Sequence, residues 1–194
     1  MSQQGHPQKP LRRDSLPLSS LVDDFLVHTR EEDAPLAKYL AELDEAGRRE
    51  LGGVLGRFDA RGRGALDAQQ RLFARRVLTR LHRPSCDSLV LANQILDYLD
   101  LNHNAVLEED EVELCIEVFE MFAKADSDNA TVSEIELRML YAVLRHVDTN
   151  DNRKLDAHER QRLHDALKSP RAFLEKERRD NPLFREIVEG QRPR

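Results

Sequence analysis

Apolar residues recur at helical spacing along most of the chain, and runs that alternate strictly between apolar and polar residues are hard to find. A clear example is the stripe of Val112, Cys115, Ile116, Phe119 and Phe122, whose members stand three or four residues apart. One face of an amphipathic helix has this spacing. The pattern predicts helices over 19–29, 34–43, 45–58, 67–82, 87–99, 109–124, 133–147 and 157–168, and a further helix that starts at Asn181–Pro182. We therefore expect an all-α fold.

Two of the polar breaks between these helices share one twelve-residue spacing. Both read Asp-x-Asn-x-Asn-x-x-Leu-(Asp/Glu)-x-x-Glu, at residues 100–111 (the middle loop) and 148–159 (the last loop). Side chains at positions 1, 3, 5, 9 and 12, with the carbonyl at position 7, can surround an ion with oxygen atoms, the ligands that calcium prefers. The predicted ligands are Asp100, Asn102, Asn104, Val106, Glu108 and Glu111 in the middle loop, and Asp148, Asn150, Asn152, Lys154, Asp156 and Glu159 in the last loop.

Each loop lies between two predicted helices, and the two loops resemble those of the EF-hand calcium-binding family at nearly every ligand position. The resemblance implies helix–loop–helix units that bind two Ca²⁺, with Mg²⁺ as an alternative occupant at rest. It also implies short β pairing between neighbouring loops, with Leu107 and Leu155 at position 8 pointing into the core.

The loops depart from the family at position 6, where EF-hands have a glycine in a left-handed conformation. Ala105 and Arg153 stand there, and a non-glycine residue in that conformation costs roughly 1–2 kcal/mol. The two loops also differ in charge. The middle loop has no Lys or Arg, whereas the last loop contains Arg153 and Lys154. We therefore expect tighter calcium binding at the middle loop.

A weaker match lies upstream at residues 59–70 (the degenerate loop). It keeps Asp59 at position 1, a glycine at position 6 and an apolar residue at position 8. Arg61 and Arg63 replace two oxygen ligands, however, and a glutamine replaces the final glutamate. Guanidinium groups do not coordinate a cation. We expect no calcium at this loop, and we expect its arginines to pair with Asp59 or Asp67.

A further acidic stretch at residues 125–136 has its apolar residue and final glutamate one position too early for the same spacing. It is either a second degenerate loop or a linker. We favour a linker that ends in a helix-capping box, with Thr131 as the N-cap and Glu134 three residues later.

These features divide the chain into five parts. They are a disordered N-terminal tail (1–17), N-terminal helices (18–44), an EF-hand region with the degenerate and middle loops (45–124), a second such region with the linker and the last loop (125–168), and a C-terminal helical tail (169–194). The apolar stripe of the C-terminal tail, Leu183, Phe184, Ile187 and Val188, either packs on the core or fills a groove that a target would occupy.

Charge and composition narrow the class of protein. The net charge is −6, and two calcium ions would add +4 to give −2, which suits an acidic metal-binding protein. Cys86 and Cys115 have neither metal-binding nor redox spacing, and we expect free thiols in a reducing, cytoplasmic compartment. His158 and His164 do not have the zinc-protease spacing around Glu159. Basic residues are scattered among acidic ones, so no nucleic-acid surface is predicted, and no run reaches membrane-spanning length.

The sequence thus predicts a non-enzymatic calcium-binding protein that acts as a sensor or modulator. The alternatives are a calcium buffer and an assembly subunit in which calcium staples helices together, with a protein target or a second copy as partner. The sequence leaves two pairings of the loops open. In one, the degenerate loop pairs with the middle loop, which leaves the last loop without a partner. In the other, the middle and last loops pair with each other.

Overall fold

A computed structural model describes residues 18–126 and 130–190, and these residues form ten α-helices. The helices are α1 (Leu18–Glu32), α2 (Ala34–Ala41), α3 (Glu45–Gly56), α4 (Ala68–Leu78), α5 (Cys86–Leu99), α6 (Glu109–Asp126), α7 (Glu134–Val147), α8 (Ala157–Lys168), α9 (Pro170–Asp180) and α10 (Pro182–Gly190). The all-α prediction is confirmed. The tail predicted at 1–17 lies outside the described residues.

Side-chain caps define where most of these helices begin. The N-cap residues that accept a backbone N–H in this way include Asp33, Asp44, Asp67, Ser85, Ser133 and Asp156. Such a cap satisfies an N–H that has no partner within the helix.

The capping box predicted with Thr131 and Glu134 was wrong by two residues. Ser133 caps α7 instead, and the Glu136 carboxylate accepts the Ser133 N–H at 2.6 Å. Val132 lies between the predicted and observed caps, and it forms an isolated bridge to Leu81. That bridge holds Val132 outside the helix, so the helix starts later than the sequence pattern indicates.

Five helices pack side by side in the order α1, α3, α5, α7 and α10. Three of them are the first helices of helix–loop–helix units: α3 leads through the degenerate loop to α4, α5 through the middle loop to α6, and α7 through the last loop to α8. The second helices α4 and α6 also pack together. α1 covers one end of the row and α10 covers the other.

One hydrophobic core runs through the whole row. It contains Phe25 of α1, Phe58 before the degenerate loop, Phe119 and Phe122 of α6, and Phe184 of α10. The predicted stripe on the helix after the middle loop is therefore buried. The C-terminal stripe also packs on the core, through buried Phe184 and half-buried residues of α10.

Both cysteines are free thiols, as predicted. Cys115 is buried in the core, and burial raises the pKa of its thiol far above the ordinary value.

The predicted β pairing between loops is not found among the described residues, whose only β contact is the Leu81–Val132 bridge. The backbone at the centre of the middle loop bonds elsewhere. The N–H of Leu107 donates to the carbonyl of Arg57, at the end of α3, with an N···O distance of 2.7 Å. The middle loop thus contacts the helix before the degenerate loop, because the α3–α5 packing brings the Arg57 carbonyl to it.

Candidate metal-binding loops

The three loops share one unusual backbone conformation. Positions 4 and 6 have positive φ in each: 58° and 64° at His103 and Ala105, 53° and 58° at Asp151 and Arg153, and 59° and 71° at two glycines of the degenerate loop. A positive φ is uncommon for non-glycine residues. The left-handed conformation predicted for Ala105 and Arg153 is confirmed. The one at position 4 was not predicted, although Asp and His tolerate it better than most residues.

The aspartate at position 1 holds the turn of each loop. Asp100 accepts the N–H of Asn104 at 3.2 Å and that of Ala105 at 2.7 Å, one on each carboxylate oxygen. Asp148 accepts the corresponding N–H groups of the last loop at 3.2 and 2.8 Å, and Asp59 those of the degenerate loop at 3.1 and 2.8 Å. Asp100 and Asp148 are each only 5 % exposed, so these carboxylates face the loop interior.

The glutamate at position 12 closes the two complete loops. One oxygen of Glu111 accepts the N–H groups of Leu101 and Asn102 at 2.8 and 3.2 Å, and the other accepts the N–H of Glu108 at 3.0 Å. The carboxylate therefore joins the start of the middle loop to the start of α6. Glu111 is 2 % exposed.

Glu159 closes the last loop in the same way. Its carboxylate accepts the N–H of Thr149 at 2.7 Å, the Thr149 hydroxyl at 2.9 Å and the N–H of Asp156 at 2.9 Å. Burial opposes its ionisation, but these hydrogen bonds stabilise the charged form, and the net result is a lowered pKa of Glu159. The Thr149 hydroxyl is a contributor that the sequence motif did not identify.

The other predicted ligands lie at the surface of the loops. The Oδ1 atoms of Asn102 and Asn104 accept the N–H two residues later, at 3.0 and 2.8 Å. The Asn104 amide also donates to Glu108 at 3.1 Å. The last loop repeats the first two contacts with the side chains of Asn150 and Asn152 at 3.1 and 2.8 Å.

Positions 7 to 9 differ in exposure. Val106 is half-buried, whereas Lys154 and Asp156 are exposed. Leu107 and Leu155, at position 8, are buried in the core as predicted.

The donor set of each complete loop consists only of oxygen atoms, which fits a hard cation such as calcium. In the described part of the chain, however, no three His, Cys, Asp or Glu side chains already converge as a metal-holding group. The reason is visible at position 12, where both carboxylate oxygens bond to backbone N–H groups. To coordinate an ion, Glu111 and Glu159 would have to exchange those bonds.

The degenerate loop differs from the other two where the sequence predicted. Arg61 and Arg63 are exposed, and the Asp59 carboxylate is engaged by backbone N–H groups. The pairing predicted between these arginines and Asp59 or Asp67 was wrong, because the turn itself occupies the Asp59 oxygens. Gln70 accepts only the N–H of Asp67, at 2.9 Å, so its side chain does not bridge the two ends of the loop.

One further residue at the last loop was not recognised from the sequence. Tyr98, in the last turn of α5, is 2 % exposed, and its ring packs edge to face on Tyr141 of α7, with the centroids 6.3 Å apart. Burial, and then the negative charge of Asp148, raise the pKa of Tyr98 to about 12. No local signal could identify the contact between Tyr98 and Tyr141, because the two residues are brought together only by the packing of α5 on α7.

None of the helices in the described ranges is long and apolar enough to cross a membrane. Comparison of the chain with protein-family models, with curated proteins and with solved structures found no match.

Proposed function

We propose that this protein is a non-enzymatic calcium-binding protein of the EF-hand type, with one Ca²⁺ at the middle loop and one at the last loop. The observation that carries the proposal is the shared loop geometry. A buried aspartate at position 1, left-handed residues at positions 4 and 6, and a buried glutamate at position 12 occur together in both loops. Two loops in different parts of the chain adopt one conformation, which supports a common chemical role.

The glutamates at position 12 are the groups that respond to the ion. Glu111 bonds to N–H groups at both ends of the middle loop. An ion at the loop attracts this carboxylate inward, and the start of α6 moves with it because Glu111 belongs to the first turn of that helix. This displacement would transmit the effect of ion binding to the helices. The protein would then act as a sensor or modulator.

The charge of each loop determines which site fills first. The middle loop carries Glu109 and Asp110 beside its ligands, while the last loop carries Arg153 and Lys154, all four of them exposed. Exposed charges act mainly through the long-range field, which salt screens. The middle loop therefore binds Ca²⁺ more tightly, and Mg²⁺ competes for both loops at rest.

Calorimetric titration of chelator-treated protein with Ca²⁺ tests this proposal. The wild-type chain is expected to bind two ions, Glu111→Gln only the ion at the last loop, and Glu159→Gln only the ion at the middle loop. Asp59→Asn, in the degenerate loop, is the control and is expected to retain both. A wild-type chain that binds no Ca²⁺ would contradict the proposal, as would loss of an ion on substitution of Asp59.

A second candidate is a helical scaffold whose loops close without metal. The observation in its favour is that Glu111 and Glu159 already have hydrogen-bond partners for both oxygens. Under this proposal, a chelator leaves the thermal unfolding temperature unchanged. An apolar-dye assay separates the remaining alternatives, because a buffer or a calcium-stapled assembly subunit would bind two ions without exposing apolar surface.

The assembly alternative rested on a helix–loop–helix unit without a partner. In this fold α10 packs against α7, so a segment of the same chain covers that side of the last unit. We therefore expect a monomer both with and without Ca²⁺, and size-exclusion chromatography in the two states checks it.

A further inference from the structure

Position 2 of each complete loop is not a predicted ligand, yet its residue contacts the glutamate at position 12. In the middle loop, the backbone N–H of Leu101 donates to Oε1 of Glu111 at 2.8 Å. In the last loop, the backbone N–H of Thr149 donates to Oε1 of Glu159 at 2.7 Å, and the Thr149 hydroxyl donates to the same oxygen at 2.9 Å. The last loop thus has a side-chain donor that a leucine cannot supply.

The two Oε1 atoms therefore differ in how firmly they are held. A carboxylate oxygen has room for about two hydrogen bonds. Thr149 provides two short bonds to Oε1 of Glu159. The second bond to Oε1 of Glu111 comes instead from the N–H of Asn102 at 3.2 Å, at the long end of the usual range for an N–H donor. Oε1 of Glu159 is accordingly the more firmly held of the two.

The other contacts that close the two loops match each other. Oε2 of Glu111 accepts the N–H of Glu108 at 3.0 Å, and Oε2 of Glu159 accepts the N–H of Asp156 at 2.9 Å. Both glutamates are buried, with 2 % and 0 % of their surface exposed. The aspartate at position 1 accepts the same pair of N–H groups in each loop. The Thr149 hydroxyl is therefore a specific difference within a shared arrangement.

Because Glu159 must exchange these hydrogen bonds for Ca²⁺, a bond that is lost in the exchange lowers the affinity. We propose that Thr149 is a positioning residue whose hydroxyl holds Glu159 in its present hydrogen bonds and thereby weakens Ca²⁺ binding at the last loop. This inference rests on the proposed calcium binding. Thr149 is exposed, so its released hydroxyl bonds to water, and the net strength of one hydrogen bond corresponds to about 2- to 12-fold in affinity.

Calorimetry with Ca²⁺ in the Glu111→Gln background, where only the last loop is expected to bind, tests the proposal. Thr149→Val keeps the shape of the side chain without its hydroxyl and is expected to raise the affinity about 2- to 12-fold. Thr149→Ser keeps the hydroxyl, is the matched control, and is expected to retain the affinity of the unsubstituted loop. No charge changes, so the ratio between the two variants is expected to be the same at low and high salt.

The converse exchange is made in the middle loop, in the Glu159→Gln background. Leu101→Thr introduces a hydroxyl at position 2, and Leu101→Val introduces the same shape without it. The threonine variant is expected to bind Ca²⁺ about 2- to 12-fold more weakly than the valine variant. Comparison within this pair removes any effect of the smaller side chain.

Urea unfolding in chelator separates positioning from a merely structural role. Thr149→Val is expected to be less stable than the wild-type chain and yet to bind Ca²⁺ more tightly, whereas a structural role would lower both stability and affinity. If Thr149→Val binds Ca²⁺ as tightly as Thr149→Ser or more weakly, or if Leu101→Thr binds as tightly as Leu101→Val, the inference is overturned while calcium binding stands. A wild-type chain that binds no Ca²⁺ overturns both.

Discussion

Single residues in the loops hold a backbone conformation that their side chains disfavour. At position 6, Ala105 has a φ of 64° and Arg153 a φ of 58°, where L-residues meet a clash between Cβ and the following carbonyl. The rest of the loop imposes this conformation, because the position-1 aspartate accepts the N–H of the same residue. The strain is therefore balanced by a hydrogen bond to a buried carboxylate.

Ala105→Gly is expected to raise the free energy of unfolding by about 0.5–1 kcal/mol. Removal of the Cβ relieves the left-handed strain, and the greater freedom of glycine in the unfolded chain offsets only part of that gain. Urea unfolding with chelator present measures it. Ala65→Gly is the control, since Ala65 is exposed in the degenerate loop and has no positive φ. An equal gain in both variants would show that strain at position 6 is not the cause.

Thr149→Val is expected to move the acid unfolding transition to higher pH. The pKa of Glu159 is lowered in the folded state, so its contacts stabilise the fold above the ordinary pKa of about 4.3 and are lost as the pH falls through the lowered value. Without the Thr149 hydroxyl the folded-state pKa rises, and stability is lost earlier on acidification.

The acid transition is followed by circular dichroism in chelator. Thr79→Val is its control, because the Thr79 hydroxyl donates to the backbone carbonyl of Arg76 and to no carboxylate. An unchanged transition in Thr149→Val would rule out this hydroxyl as a stabiliser of the Glu159 charge.

At the scale of secondary-structure elements, close contacts between helices, rather than helix propensity, determine which side chain each position tolerates. A Cβ added at Gly53 of α3 would lie 3.0 Å from the Asn93 amide nitrogen of α5. That amide is fixed, because it donates to the backbone carbonyl of Glu50 at 3.0 Å and to the Glu50 carboxylate at 3.1 Å. The small residue at 53 therefore lets α3 and α5 approach closely.

Gly53→Ala and Gly56→Ala form a matched pair at this interface. Both replace a glycine by alanine in α3, a change that favours an exposed helix position by about 1 kcal/mol. A Cβ at Gly56 meets nothing within 4 Å, so Gly56→Ala is expected to stabilise the protein. Gly53→Ala is expected to be less stable than Gly56→Ala by about 1–2 kcal/mol, since displacement of Asn93 costs hydrogen bonds. Equal stabilities by urea unfolding would contradict the close-contact argument.

The C-terminal helices dock on α7 through a buried polar residue. Asn181 is 3 % exposed, and its amide donates to the carbonyl of Ala142 at 3.0 Å and to Glu177 at 2.9 Å. Its Oδ1 accepts the N–H of Phe184 at 3.2 Å and so caps α10. Helix capping and docking thus depend on one side chain.

Asn181→Ala is expected to lower the free energy of unfolding by about 2–3 kcal/mol, from the lost cap and the partners left unsatisfied. Limited proteolysis is expected to cleave the segment of α9 and α10 first in this variant. Gln161→Ala is the control, because Gln161 bonds only to Asp165 at the exposed surface of α8. Cleavage at the same rate in both variants would show that Asn181 does not hold the segment.

At the scale of the whole molecule, one continuous core makes the loops part of a single cooperative unit. Ion binding at either loop is expected to raise the stability of the entire chain, by about 2.7 kcal/mol per site when free Ca²⁺ is 100 times the dissociation constant. Thermal unfolding with Ca²⁺ or with chelator measures the difference. The double variant Glu111→Gln, Glu159→Gln is expected to show none, and a calcium-dependent shift in that variant would place the ion elsewhere.

The sequence by itself determined most of the helices, the loops between them and the burial of Leu107 and Leu155, because these depend on spacing within about a dozen residues; α9 was predicted only as part of a helical tail. It also located the left-handed residues Ala105 and Arg153 through the position they occupy in the motif. Local chemistry sufficed in each case, since a helix period or a tight turn is specified by neighbouring residues.

Only the tertiary structure decided how the units meet. Segments distant in the chain are joined in the row of α1, α3, α5, α7 and α10, in the bond from Leu107 to Arg57 and in the ring contact between Tyr98 and Tyr141. The Leu81–Val132 bridge likewise moved the start of α7 from the predicted Thr131 cap to Ser133. Such contacts form when helices distant in the chain pack against each other. The spacing of residues within one helix does not specify which residue of another helix will lie opposite it.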